Sequence, residues 1–211
     1  VELDEWYFEK LTKEIAKRDP KHMTSAELVK LVDWKLTRGK FRPRLLDFAK
    51  AHSAATVRDA TAAAITLFPT AGIADLDDKH AGALVPLVAL KGIGPATASA
   101  VLAAAFPSAV PFMSDEVMAV ALPPSSSSDA YSTPRLLALA EAVRAKAANV
   151  GMTAGEVERA VYSEAALTKK PKAAPKVVPK KAQPSKPTKA AAEGEAEAET
   201  EAETEAETEA E

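Results

Sequence analysis

Gly92-Ile93-Gly94 is followed at once by Pro95, and an apolar helical run (Leu84, Leu87, Val88) ends just before it at Leu90. Glycine tolerates positive φ and lets another backbone or a ligand come close. Proline suits a first helical position, where its missing N–H would be unpaired anyway. The stretch from Leu90 to Ala98 therefore predicts helix, tight hairpin, helix, with Ile93 pointing into the core and the glycine amides facing outward. Outward amides beside a helix N-terminus offer a phosphate both donors and a favourable dipole. Lys91 and Thr97 stand close enough in sequence to reach the same anion. A turn with no ligand needs the same residues, so the two readings differ only in what meets the amides.

Two further sets of residues could do chemistry. Asp115 follows Ser114 about twenty residues after Gly94 and could act as an ionised carboxylate at a helix start, which favours the charged form. An ordinary helix-start acid capped by Ser114 has the same sequence. The second set alternates aromatic and basic side chains: Trp34, Lys35, Arg38, Lys40, Phe41, Arg42 and Arg44. Lys35, Arg38, Lys40 and Arg42 could clamp a nucleic-acid backbone. A solvated basic face with Trp34 and Phe41 in the core accounts for them equally. Lys35 lies on the apolar stripe of its helix, seven residues after Leu28, as a lysine that snorkels to water or as a buried functional amine. Asp75-Leu76-Asp77-Asp78 with His80 lacks the glycine and distal glutamate of a calcium loop. The three histidines, His22, His52 and His80, have no metal-ligand spacing, and no metal site is expected.

The pattern L-x-G-I-G-x-x-T-A, with the loop Phe106-Pro107-Ser108-Ala109-Val110-Pro111-Phe112-Met113-Ser114 and then Asp115, resembles the helix-hairpin-helix DNA glycosylase superfamily. The likeness runs from about Leu84 to Val120. It implies that the amides at Gly92, Ile93 and Gly94, with Lys91 and Thr97, hold a phosphate of duplex DNA. A monovalent cation on hairpin carbonyls is the one cofactor it suggests. It also implies that Asp115 stabilises positive charge on the sugar as an extruded base leaves, and helps to orient the attacking nucleophile. Members that also cleave the strand carry a lysine where this chain has Ala96, so the expected chemistry is monofunctional, with water as nucleophile. Asp115 is followed by Glu116-Val117 rather than the Thr-His pair common in the superfamily, and the loop is about one residue longer. The alternatives are a relative that binds DNA or chromatin without chemistry, and a protein-interaction scaffold in which the hairpin is only a turn.

The elements that must position these residues are helical. At 211 residues and 47% hydrophobic content the chain supports one cored domain. Without cysteine there is no disulfide, thiolate zinc site or iron–sulfur cluster. Residues 1–20 are acidic and amphipathic, unlike a signal peptide. The most apolar region, Ala81 to Phe106, is broken by Pro86, Lys91 and the hairpin, and no membrane span is expected. Leu3, Tyr7, Leu11 and Ile15 predict a helix over 3–18. Thr24-Ser25-Ala26-Glu27 is a capping box opening a helix that carries Leu28, Leu31, Val32 and Leu36 and ends at Gly39. Pro43 opens a helix to about Lys50, and Thr56 to Phe68 is another, closed by Pro69 and Gly72. Pro95 to Phe106 is alanine-rich and can approach its neighbours closely. A short helix follows Ser114. Pro134 opens a helix that ends at Gly151, and the capping box Thr153-Ala154-Gly155-Glu156 opens the last, to Leu167. The expected body is all-α, with roughly nine helices over residues 1–167.

The net charge of −3 conceals three blocks. Thr168 to Ala190 carries 8 Lys and no acid, Glu193 to Glu211 carries 10 Glu and no base, and the body holds 19 basic and 20 acidic residues. Within the body, residues 10–50 carry 12 Lys/Arg against 5 Asp/Glu, the one electrostatic patch suited to DNA. Both tail blocks, 168–190 and 191–211, lack apolar surface to offset ordering entropy and are expected to be disordered. The basic block resembles a linker-histone tail in composition and suits non-specific DNA contact or nuclear import. The expected setting is a nuclear monomer that contacts DNA, with chromatin proteins as further partners and no membrane.

Overall fold

The computed structural model describes residues 2–38, 42–68, 78–125 and 129–168, and all the regular structure among them is helical. Nine helices follow in order. Helix α1 (residues 2–16) contains a π-helical turn, Trp6–Leu11, and is followed by α2 (Ser25–Arg38), α3 (Pro43–Ala51), α4 (Ala54–Leu67) and α5 (Asp78–Val88). Then come α6 (Pro95–Ala105), α7 (Asp115–Ala121), α8 (Thr133–Val150) and α9 (Ala154–Thr168). Among the described residues no helix is long and apolar enough to cross a membrane. Both tail blocks beyond Thr168, Lys40, Phe41, Pro69, Gly72 and the acidic run Asp75 to Asp77 lie outside the described residues.

Helix α6 is the centre of the fold. Every residue from Ala96 to Ala104 is buried, which suits a helix that is apolar or small all round. It packs against α1, α2, α4, α5 and α8. Six alanines keep its girth small, so five neighbours can close around it. Its two polar residues, Thr97 and Ser99, are buried as well.

The first helix shows why a four-residue repeat is not a pure α signal. Tyr7, Leu11 and Ile15 are all buried, yet in a 3.6-residue helix strict spacing by four drifts around the axis. The wider π turn at Trp6–Leu11 absorbs that drift. Tyr7 then stacks on Trp34 with centroids 3.6 Å apart, and its hydroxyl donates to the Ala100 carbonyl of α6 at 2.7 Å.

Helix starts follow local chemistry. In both capping boxes the threonine amide donates to the glutamate, Thr24 to Glu27 at 2.8 Å and Thr153 to Glu156 at 2.7 Å. Ser53, Ser114 and Ser132 cap α4, α7 and α8 through their side chains. The Ser53 cap starts α4 two residues ahead of the expected Thr56. Gly151 ends α8 in the left-handed region, at φ 68°, as a C-terminal glycine does.

Candidate functional site

The hairpin between α5 and α6 is a helix–turn–helix with Ile93 as its anchor. Ile93 is 4% exposed and its amide donates to the Leu90 carbonyl at 3.0 Å. Burying such a side chain is worth roughly 1.5–3 kcal/mol. The two glycines have different reasons to be glycine. Gly92 sits at φ +85°, and a Cβ there would lie 2.7 Å from Cβ of Phe48. Gly94 has an extended backbone at φ −98°, and a Cβ there would meet nothing within 4 Å. Neither glycine amide finds an acceptor among the described residues. The Lys91 carbonyl is taken by Nε2–H of His52 at 3.0 Å, which pins the turn to the end of α3.

Asp115 reaches the same place from α7. The loop before it is tied to α6 by Ser99, whose Oγ donates to the Ala96 carbonyl at 3.0 Å and accepts from the Met113 amide at 3.0 Å. The N-terminus of α9 holds the other side of the loop, where the Gly155 amide donates to the Pro107 carbonyl at 2.9 Å. A Cβ on Gly155 would lie 2.7 Å from that oxygen, so close approach requires glycine there. Ser114 caps α7, and Asp115 is its exposed first residue.

These elements enclose a cleft of about 410 Å³ lined by the hairpin from Leu90 to Thr97, by Asp115, and by Lys35 and Arg42. The volume is that of a small-molecule or nucleotide pocket. The Tyr131 hydroxyl donates to Oδ1 of Asp115 at 2.5 Å, and the Arg42 guanidinium lies 5.5 Å from the centre of the Tyr131 ring. Burial first, then the hydrogen bond to Asp115 and its charge, push the Tyr131 phenol up to about 12. Tyr131 therefore stays protonated at neutral pH and remains a donor. The chain matches no protein-family model, no curated protein and no solved structure. What the site can do rests on its own geometry.

The residues singled out by sequence separate into three groups. Gly92, Ile93, Gly94, Lys91, Thr97, Asp115, Lys35 and Arg42 all line the cleft. Thr97 is buried in its wall, while Lys91 is exposed with its ammonium 5.0 Å from the Phe48 ring centre. Lys35 is half-buried, neither sunk in the core nor free in water. Burial holds its ammonium below the usual lysine range, Arg42 adds to that, and Asp115 acts in the opposite sense.

Arg38 forms the second group. It borders the cleft, but its side chain is 7% exposed and its guanidinium is engaged inside the fold. Nε donates to Asp4 at 3.2 Å and Nη1 to Glu158 at 3.3 Å. The plane lies over Tyr162, Trp34 and Phe8, at 3.8, 4.7 and 5.1 Å from their centres. Trp34 is fully buried, and its indole N–H donates to Asp4 at 2.8 Å. For this helix the solvated-face reading held for Trp34, whereas Arg38 lies on neither a solvated face nor an open clamp. Lys40 makes the third group, outside the described residues.

Four residues that line or brace the site have roles the sequence reading did not assign: Tyr131 in the cleft, and Ser99, His52 and Glu158 behind it. Glu158 had a readable signal, because Ala154, Val157 and Val161 share its helical stripe. A glutamate on one apolar stripe and an arginine on another, Leu31-Trp34-Arg38, announce a buried pair. Tyr131 had none, since it stands in an irregular turn after the proline–serine loop.

Proposed function

We propose that the chain is a divergent member of the helix-hairpin-helix DNA glycosylase superfamily and binds duplex DNA at the hairpin. The observation that carries this reading is the meeting in one cleft of the unengaged amides of Gly92 and Gly94 with the Asp115 carboxylate. Amides and the start of α6 favour a phosphate oxygen, and Lys91, Lys35 and Arg42 add positive charge around it. A base extruded from the duplex would bring its sugar beside Asp115. A carboxylate there stabilises the positive charge that develops as the base departs and orients a water for attack. Tyr131 supports this by occupying Oδ1 with a neutral donor. Ala96 is buried in the wall and offers no amine, so base release by water is the proposed reaction. The Gly92 and Ile93 carbonyls accept no hydrogen bond among the described residues, and these two would hold a monovalent cation, whose charge would favour the phosphate.

A second reading keeps DNA binding and drops the chemistry. It is favoured by the exposure of Asp115 and by Tyr131, which already engages it. In either reading the basic tail block would add salt-dependent contacts to DNA or chromatin in the nucleus.

Incubating the full chain and its Asp115→Asn variant with duplexes bearing a panel of altered bases separates the readings. Release of at least one base by the parent chain and none by the variant, at equal duplex affinity, is the expected outcome. Survival of every base with salt-dependent binding intact would leave the binding reading. Affinity that does not change between low and moderate salt would remove both.

A further inference from the structure

Behind the cleft, one buried carboxyl group touches the helix start that carries Asp115. Glu158 is 1% exposed, and its helix, α9, packs directly against α7. On one side Glu158 accepts from Nη1 of Arg38 at 3.3 Å. On the other it shares a hydrogen bond with Ser114. Ser114 is buried too, and its Oγ accepts from the Val117 amide at 3.4 Å to cap α7. Arg38, Glu158, Ser114 and the first turn of α7 therefore form one connected chain that ends at Asp115.

We propose that Glu158 is a positioning residue for Asp115: as a carboxylate it takes the Ser114 proton and completes the cap of α7, and on gaining a proton it releases that cap and loosens Asp115 in the cleft. This rests on the glycosylase reading only for what Asp115 does there. The coupling of the two carboxyl groups is a property of the fold.

A serine hydroxyl has one proton to give and two lone pairs to receive with. An ionised Glu158 is an acceptor only, so Ser114 must point its proton at the carboxylate, and its lone pairs are left to face the Val117 amide. A neutral Glu158 brings a proton of its own to the contact. The hydroxyl rotor is then no longer dictated, and a lone pair is drawn away from the cap. Helix α7 has only seven residues, too few to hold its first turn without a cap and packing.

The groups that face Glu158 come from four helices. Burial raises its carboxyl to about 7, while Arg38 of α2 and the hydrogen bond with Ser114 lower it. Glu116 of α7 raises it through like charge, and Arg159 of α9 lowers it. Tyr7 of α1 has its phenol raised well above the usual value, by burial first and then by Glu158, so it stays neutral. Asp4 of α1 shares the Arg38 guanidinium, which is thus divided between two acids and offsets the buried charge only in part. The ionised form that completes the cap is the form that burial disfavours, which places the exchange between the two states near neutral pH.

The test is an NMR titration of the full chain, labelled in its carboxyl carbons and amide nitrogens, with base release measured over the same range. The Glu158 carboxyl should titrate near neutral pH, and the Val117 amide and the Asp115 carboxyl should each show a step with that same midpoint. Glu158→Gln keeps the shape and a carbonyl for Ser114 but cannot titrate, and should remove both steps. Ser114→Ala should leave Glu158 titrating and abolish the Asp115 step. Base release by the parent chain should fall about tenfold from one pH unit above the midpoint to one below, as the ionised fraction does in a one-proton titration, and should be flat in Glu158→Gln. The proposal is overturned if Glu158 titrates while Val117 and Asp115 stay still, which is read on the parent chain even where a variant misfolds. An Asp115 step that survives Ser114→Ala is a bare field effect and overturns it as well, as does base release that is flat across the step. A coupled step in a chain that releases no base would sink the glycosylase reading and leave the positioning standing. Base release without the coupled step would do the reverse.

Discussion

Lys35 and Arg38 stand one helical turn apart near the end of α2, and the molecule uses them in opposite ways. The region around Arg38 is closed. Its guanidinium has two acids, Asp4 and Glu158, and three aromatic rings. The region around Lys35 is a cleft whose donors and acceptors are only partly engaged: two glycine amides, the amines of Lys35 and Lys91, and a carboxylate holding a tyrosine hydroxyl. A positive charge near a proposed DNA site is thus no guide to function by itself. The partners it already has decide whether it stabilises the fold or stays available for a ligand.

The sharpest way to break this contrast is Arg38→Ala. It leaves Glu158, 1% exposed, without its cation, and loss of one partner of a buried pair costs about 3–5 kcal/mol. Denaturant unfolding should show a loss of that size, and a loss below about 1 kcal/mol would mean that the cluster is not the structural anchor described.

Next comes the pair of glycines. Gly92→Ala meets Phe48 from a left-handed backbone and should destabilise by about 1–3 kcal/mol. Gly94→Ala meets nothing and should leave stability within about 0.5 kcal/mol while weakening duplex binding, because its methyl group stands beside the amides. Thermal melts beside binding titrations on both variants check this, and equal melting losses would erase the distinction.

Smaller still is a pH effect. Burial raises the Glu158 carboxyl to about 7, against the lowering influence of Arg38 and of a hydrogen bond with Ser114. Its folded value lies above the unfolded one, so the folded state binds the extra proton between roughly pH 4.5 and 7. Stability contributed by this group is therefore present at acid pH and falls as pH rises through that window. Glu158→Gln should flatten that slope in melts taken across the window. An unchanged slope would assign it to other groups.

Much of this arrangement was legible in the residues. Both capping boxes, the alanine-rich central helix, the buried Ile93 and the Ser114 cap are local signals, each written within four or five positions. The order and number of helices followed from them. What stayed hidden depends on residues far apart in sequence. Nothing in Asp-Ala-Tyr announces that Tyr131 reaches Asp115, and nothing around His52 announces the Lys91 carbonyl. Ser99 reads as one small residue among many in an alanine-rich helix, yet it is the peg between that helix and the loop leading to Asp115. Asp115 and Lys35 were each legible as candidates, but that α7 and α2 bring them to one cleft was not.

The π turn in α1 also sets the phase of everything before it. Asp4 meets Arg38 and Trp34 because the widened turn rotates it toward α2. Removing one residue inside Trp6–Leu11 would give a regular helix with Asp4 at nearly the same phase, whereas removing one from the regular turn Thr12–Ala16 would swing Asp4 by about 100°, away from both partners. An extra or missing residue ahead of Leu3 would disturb nothing in the cluster. The widened turn therefore tolerates the loss of a residue that the regular turn after it does not.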